Sequence, residues 1–181
     1  MEKVKEVPYG VADFVTVMEQ NLYYVDKTMF IPELEKQPRN LFFIRPRRFG
    51  KSTFLSMLHS YYDCNQSAKF QSLFGNLWIG QHPTELQGKY QVLFLDFSQV
   101  SGNIDSLERN FDFYCYVKPE GFMRRYGEAY SEETREKVRK AEYAMDKLAF
   151  IHDEAAQKGF DAIRKILFDS DGNRRTYELV G

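Results

Sequence analysis

At 181 residues, with 43% hydrophobic and 28% charged side chains, the chain has the composition of an ordinary globular domain and enough apolar material for one sizeable core. A formal net charge of -1 argues against a protein that coats nucleic acid, because that binding needs a surplus of cations. Cys64 and Cys115 stand far apart without metal-ligand or C-x-x-C spacing, no leader opens the chain and no apolar run approaches the ~18 to 20 residues that span a bilayer; the expectation is a reduced, cytoplasmic protein with no membrane contact.

In chain order, residues 1 to 6 are charged, Pro8-Tyr9-Gly10 makes a turn, and Asp13 can cap a short helix carrying Phe14, Val17 and Met18 on one side. Leu22 to Val25 reads as a brief strand. Asp26-Lys27-Thr28 offers helix-capping chemistry, and Pro32 requires a break or a first-turn position there. Pro38-Arg39-Asn40 then turns the chain into Leu41-Phe42-Phe43-Ile44, a continuous apolar run expected of a strand covered on both faces.

The apolar run leads into Arg45-Pro46-Arg47-Arg48-Phe49-Gly50-Lys51-Ser52-Thr53, and then into a helical periodicity with Phe54, Leu58 and Tyr61 on one face. Gly50-Lys51-Ser52 matches the second half of the phosphate-binding pattern G-x-x-x-x-G-K-[ST], in which backbone N–H groups and a helix N-terminus hold phosphate oxygens. The lysine reaches the outer phosphates and the serine hydroxyl can ligate Mg²⁺. Arg45 occupies the first glycine position. Two other readings stay open: a basic turn with Ser52 as helix cap, and a nucleic-acid backbone patch formed by Arg45, Arg47, Arg48 and Lys51.

The string Arg45 to Ser52, preceded by Tyr24-Val25-Asp26-Lys27-Thr28 and Gly10-Val11-Ala12-Asp13-Phe14, resembles the bacterial AAA-ATPase-like family, whose degenerate Walker A loop is written R-P-R-R-F-G-K-[ST]. The resemblance covers about residues 7 to 159 and makes the departure at Arg45 a family habit. It implies ATP and Mg²⁺ as ligands and a site-shaping role for the Asp26-Lys27-Thr28 motif. Members of that family usually carry a PD-(D/E)XK nuclease-like domain as well, which is not expected within these 181 residues.

Further along, the aromatic segment Phe70 to Ile79 reads as core, although Phe74 and Trp78 are of a type that can stack a base. Tyr90 to Phe97 is a second buried-strand candidate ending near Asp96, a candidate Mg²⁺ ligand by analogy with a Walker B strand. Leu107, Phe111, Phe113, Tyr114, Phe122, Met123 and Tyr126 belong to a helical region with Arg124 and Arg125 as solvated cations. Ser131 to Lys158 is expected to be one helix, capped by Ser131, with a stripe of Val138, Ala141, Met145, Leu148 and Ile151 and with Glu133–Lys137 and Glu136–Lys140 pairs outside. His152-Asp153-Glu154 reads as a solvated helix face. His59 and His82 have no recognisable partners in sequence. Ile166-Leu167-Phe168-Asp169 stands where the family carries its Walker B strand, without the following glutamate.

These readings converge on an α/β, P-loop NTPase-type fold with a mainly parallel sheet flanked by helices, incomplete at its C-terminal end. Residues 1–159 form the P-loop domain and 160–181 a divergent tail. The loop 45–53 binds ATP, with Arg45 bonded to carboxylates of the fold rather than to nucleotide, Ser52 and Asp96 are the Mg²⁺ candidates, and ATPase activity is expected to be weak or absent. The alternative is a non-catalytic nucleic-acid or protein-partner binding module that uses the basic loop.

Overall fold

The computed structural model describes residues 4–38, 40–44, 46, 49–158 and 165–168, which fall into two compact units. The first unit comprises the described residues of 4–62, 66–88 and 165–168; the second comprises 63–65 and 89–158. The expectations for Arg39, Arg45, Arg47, Arg48 and Asp169, and for a boundary at 159/160, lie outside the described residues.

In the first unit, helix α1 (Phe14–Glu19) starts where the Asp13 carboxylate accepts the Thr16 N–H at 2.8 Å, and it buries Phe14 and Val17. A 3-10 turn, Thr28–Phe30, runs straight into α2 (Ile31–Glu35), which accepts Pro32 because the first turn needs no donor there. Strand β1 (Asn40–Phe43) leads through the basic loop to α3 (Lys51–Tyr62), and α4 (Phe70–Phe74) and α5 (Trp78–Gln81) come next. The α3 positions Phe54, Met57, Leu58 and Tyr61 recur at one helical face and all are buried, with Phe14, Ile31, Leu73, Phe74, Leu77 and Ile79 packed around them. Phe14 stacks on Phe74 at 5.0 Å, Tyr61 meets Phe74 edge-on at 5.5 Å, and Phe43 of β1 stacks on Phe54 at 5.3 Å. At the far end of α3 the Tyr61 hydroxyl pairs with Thr84 Oγ1, which donates to Glu35 Oε1 at 2.7 Å, and Tyr62 donates to the same carboxylate oxygen at 3.0 Å.

In the second unit, α6 (Ile104–Tyr126), α7 (Glu132–Lys140) and α8 (Ala144–Gln157) pack around Phe122, Tyr126, Tyr130, Val138 and Ile151. Lys147 is fully buried on α8, its ammonium 2.5 Å from Glu120 and 3.6 Å from the centre of the Tyr116 ring, so the charge enters the interior with a carboxylate and an aromatic face to meet it.

The expected mainly parallel sheet is not formed. The described residues are predominantly helical, and their strands are confined to a single pair in which β1 runs parallel to β2 (Lys165–Phe168), with Leu41 opposite Ile166 and Phe43 opposite Phe168. Ile44 lies beyond that pair and is 82% exposed. Leu22 to Val25 is not a strand, nor is Tyr90 to Phe97, which has one isolated bridge from Tyr90 to Asp63. The reason is visible in its hydrogen bonds. Tyr126 Oη accepts the Val92 N–H at 3.2 Å, Arg125 donates to the Val92 carbonyl at 3.1 Å, and Tyr114 Oη accepts the Asp96 N–H at 2.5 Å. Side chains of α6 thus satisfy backbone groups that a neighbouring strand would otherwise have to meet. The long helix expected over 131–158 is broken at Ala141, whose ψ of 133° is extended, and Met145 is 73% exposed instead of lining a stripe. Among the described residues no helix is long and apolar enough to cross a membrane.

The break lets α8 fold back on the start of α7. Glu154 accepts the Ser131 N–H at 2.8 Å and the Ser131 hydroxyl at 2.9 Å, while Lys158 pairs with the same carboxylate; these bonds, that of Lys158 foremost, hold the Glu154 pKa down at about 2. A lowered folded-state pKa means that the stabilisation is complete above the ordinary value of 4.5 and is lost as pH falls through about 2. Glu154→Gln is expected to lower the thermal midpoint at neutral pH and to flatten its acid dependence, with wild type and variant converging near the bottom of that window in circular-dichroism melts.

Candidate functional site

The basic loop ends in a turn that needs glycine. Gly50 has φ +72°, and its carbonyl accepts the Phe54 N–H at 3.0 Å, so α3 begins at Lys51. The N–H groups of Lys51, Ser52 and Thr53 therefore belong to the first turn, ahead of the helix's own ladder of bonds, and sit at its positive end. Ser52 is exposed, Lys51 and Thr53 are half-buried, and Pro46 and Phe49 are exposed.

The Gly10-to-Phe14 motif fixes this helix from one side. Ser56 of α3 donates to Asp13 Oδ1 at 2.9 Å and accepts the Phe14 N–H at 2.9 Å, so the start of α1 is tied to the second turn of α3. Burial pushes the Asp13 carboxyl up, but hydrogen bonds from Thr16 and Ser56 outweigh it and its pKa is lowered.

The Asp26-Lys27-Thr28 motif approaches from the other side. Asp26 Oδ1 accepts both the Thr28 N–H at 2.8 Å and the Thr28 hydroxyl at 2.7 Å, and Oδ2 accepts the Trp78 N–H at 2.7 Å. The fully buried Thr28 Oγ1 in turn accepts the Ile79 N–H at 3.1 Å. One carboxylate and one hydroxyl thereby cap the four-residue helix α5, and the backbone of Lys27 is held between them. Tyr24, pinned edge-on against Phe14 at 5.3 Å, is buried deeply enough that its hydroxyl pKa is strongly raised.

Between these parts lies a cavity of about 240 Å³, lined by Val7, Pro8, Tyr23 to Val25 and Lys27 on one side and by Gly50, Thr53 and Phe54 on the other. The Tyr23 N–H donates to the Glu6 carbonyl at 2.7 Å, joining the two segments of the first wall. Among the described residues the lining is chiefly apolar and contains no acid, and the cavity opens directly onto the glycine turn. Sequence reasoning identified the loop but not Val7, Pro8, Tyr23 and Tyr24 as its neighbours. The available signal was the apolar character of residues 23 to 25 immediately before the Asp26-Lys27-Thr28 motif.

Other candidates have structural employment. The Asp96 carboxylate, in the second unit, accepts the Ser98 N–H at 3.0 Å, the Ser98 hydroxyl at 2.6 Å and the Gln99 amide at 3.3 Å, starting the 3-10 turn Phe97–Gln99. Phe74 is core, whereas Trp78 is 38% exposed and stacks on His82 at 4.4 Å. Arg125 serves the Val92 carbonyl, and Glu154 anchors Ser131 while Asp153 stays exposed.

Residues 8–166 match the protein-family model described as Predicted AAA-ATPase. Among curated proteins, the chain is 43% identical over 63 residues to one named "Uncharacterized protein in vnfD 5'region" from Azotobacter chroococcum mcd 1. That match takes in 34% of this chain and 12% of the relative, so the chain corresponds to a small part of that protein's length. No solved structure matches.

Removing the Asp26 carboxylate leaves the Trp78 and Thr28 N–H groups without their acceptor. Asp26→Ala is expected to destabilise the first unit by about 2 to 3 kcal/mol, the range for losing hydrogen bonds to a charged group. Urea unfolding followed by the fluorescence of Trp78, the single tryptophan, measures it; a midpoint equal to wild type would show that the cap is dispensable.

Proposed function

Because the chain belongs to the family described as Predicted AAA-ATPase, we propose that its glycine turn and the start of α3 bind the phosphates of ATP together with Mg²⁺. The observation that carries this reading is the Gly50 turn at φ +72°, which starts α3 at Lys51 beside the cavity. N–H groups at a helix N-terminus suit phosphate oxygens, and the left-handed turn lets the backbone approach them. Lys51 supplies the concentrated charge, the exposed Ser52 hydroxyl suits Mg²⁺, and Thr53 lies toward the α-phosphate. Arg45, Arg47 and Arg48, which lie outside the described residues, would add positive charge to the loop. Mg²⁺, which the Ser52 hydroxyl would help to hold, would neutralise charge on the phosphates. The apolar cavity next to Thr53 gives the nucleoside somewhere to go, which favours a nucleotide over a nucleic-acid backbone contacted at the loop alone.

Lys51→Ala is expected to abolish binding of a non-hydrolysable ATP analogue while helical circular dichroism persists. Calorimetry with and without Mg²⁺ decides the matter, and unchanged affinity in the variant would remove the phosphate role from the loop. Nucleic-acid binding that collapses at moderate salt, with no response to nucleotide, would favour the alternative module.

Hydrolysis is a separate requirement. It needs a group that orients the attacking water, and no acid lines the cavity among the described residues. Turnover by the isolated chain is therefore expected to fall well below roughly 1 s⁻¹ in a steady-state assay. Faster turnover that vanishes in Lys51→Ala would contradict this. In that case Asp169→Asn and Asp96→Asn are the substitutions to compare, the first because β1 pairs in parallel with the strand that precedes it in sequence.

A further inference from the structure

Resting on the phosphate-loop reading, we infer that Lys27 is a second cation for the bound nucleotide, reaching its phosphates from the cavity side. Three observations meet here. Lys27 lines the same cavity as Gly50 and Thr53, and a Cβ built at Gly50 would stand 3.9 Å from the Lys27 ammonium. The ammonium thus hangs beside the turn at which the phosphate-binding helix begins.

The second observation is what surrounds the ammonium. Among the described residues it makes no hydrogen bond or ion pair, although the residue is half-buried. Its nearest carboxylate in sequence, Asp26, is already engaged by Thr28 and Trp78. A half-buried lysine whose ammonium has no counter-charge among the described residues is poised for an anionic partner, and the described residues of the cavity wall offer none.

The third is how its backbone is held. Asp26 and Thr28, the flanking residues, each bond to the N-terminus of α5, so the segment bearing Lys27 is fixed across separations of 52 and 51 residues by bonds in which Lys27 itself takes no part. In the triplet, two residues build the scaffold and the middle one projects toward the loop. Such division of labour is expected of a positioned binding residue. A cation merely solvating a turn would need no such support.

The full chain can test this by calorimetry with Mg²⁺ and the imido analogue of ATP, and separately with adenosine, for wild type, Lys27→Met and Lys27→Arg. Loss of one charge-assisted contact predicts that Lys27→Met weakens the triphosphate analogue by ~10- to 100-fold. Adenosine affinity and the ligand-free thermal midpoint should stay near wild type, and Lys27→Arg should restore most of the loss. Equal affinity of wild type and Lys27→Met for the analogue overturns the inference, and so does an equal loss for adenosine, which would mark Lys27 as a wall of the cavity only. A wild-type chain that takes up no nucleotide overturns the phosphate-loop reading itself, and the inference falls with it.

Discussion

The Asp26 carboxylate is the constraint on which the first unit's candidate site depends. Its two oxygens accept three hydrogen bonds, two from Thr28 and one from Trp78, and the Thr28 hydroxyl relays a fourth from Ile79. Helix α5 has four residues, too few to stand alone, and exists because those donors find acceptors that come from elsewhere in the chain. The glycine at its third position is equally specific: a Cβ at Gly80 would lie 1.9 Å from the Phe74 carbonyl, so the turn between α4 and α5 closes only without one. Asp26 thus couples a core element to the wall of the cavity.

Helix α3 is the other fixed point. Its first turn borders the cavity through Gly50, Thr53 and Phe54, while Met57, Leu58 and Tyr61 one and two turns on are core. Phe54 belongs to both, being buried under Phe43 and also part of the lining. A side chain shared in this way ties the position of the helix terminus to the packing of the unit. The Ser56 bond to Asp13 adds a polar restraint at the same level.

The features legible in the sequence were local. The Gly50 turn, the face of Phe54, Leu58 and Tyr61, the Ser131 cap and the Glu133–Lys137 and Glu136–Lys140 pairs all lie within a few residues of their partners, and hydrophobic period or cap chemistry reveals them. The sheet was not legible, because an apolar run states that a segment is covered and not what covers it. Tyr90 to Phe97 looks like a buried strand yet meets the hydroxyls of Tyr114, Tyr126 and Tyr130, supplied by residues 18 to 39 positions away. The break at Ala141 was hidden for a related reason: alanine favours helix, and what ends α7 is tertiary, the return of α8 to place Glu154 on Ser131. Asp26 was recognisable as a cap, but its second oxygen serves Trp78, and no spacing rule announces that.

The distribution of charge around α3 bears on what chemistry the first unit can support. Asp13 is held by Thr16 and Ser56, Asp26 by Thr28 and Trp78, and Glu35 by Tyr62 and Thr84. The Asp13 carboxylate is stabilised as the anion by the hydrogen bonds it accepts, as its lowered pKa shows, and so is a poor acceptor for a proton in a reaction. These three acids therefore hold backbone and hydroxyl groups in place, while Lys27, Gly50 and Thr53 line the cavity. That arrangement is in keeping with the proposed holding of an anion. Any acid that orients water for hydrolysis has to be brought from outside the set that lines the cavity.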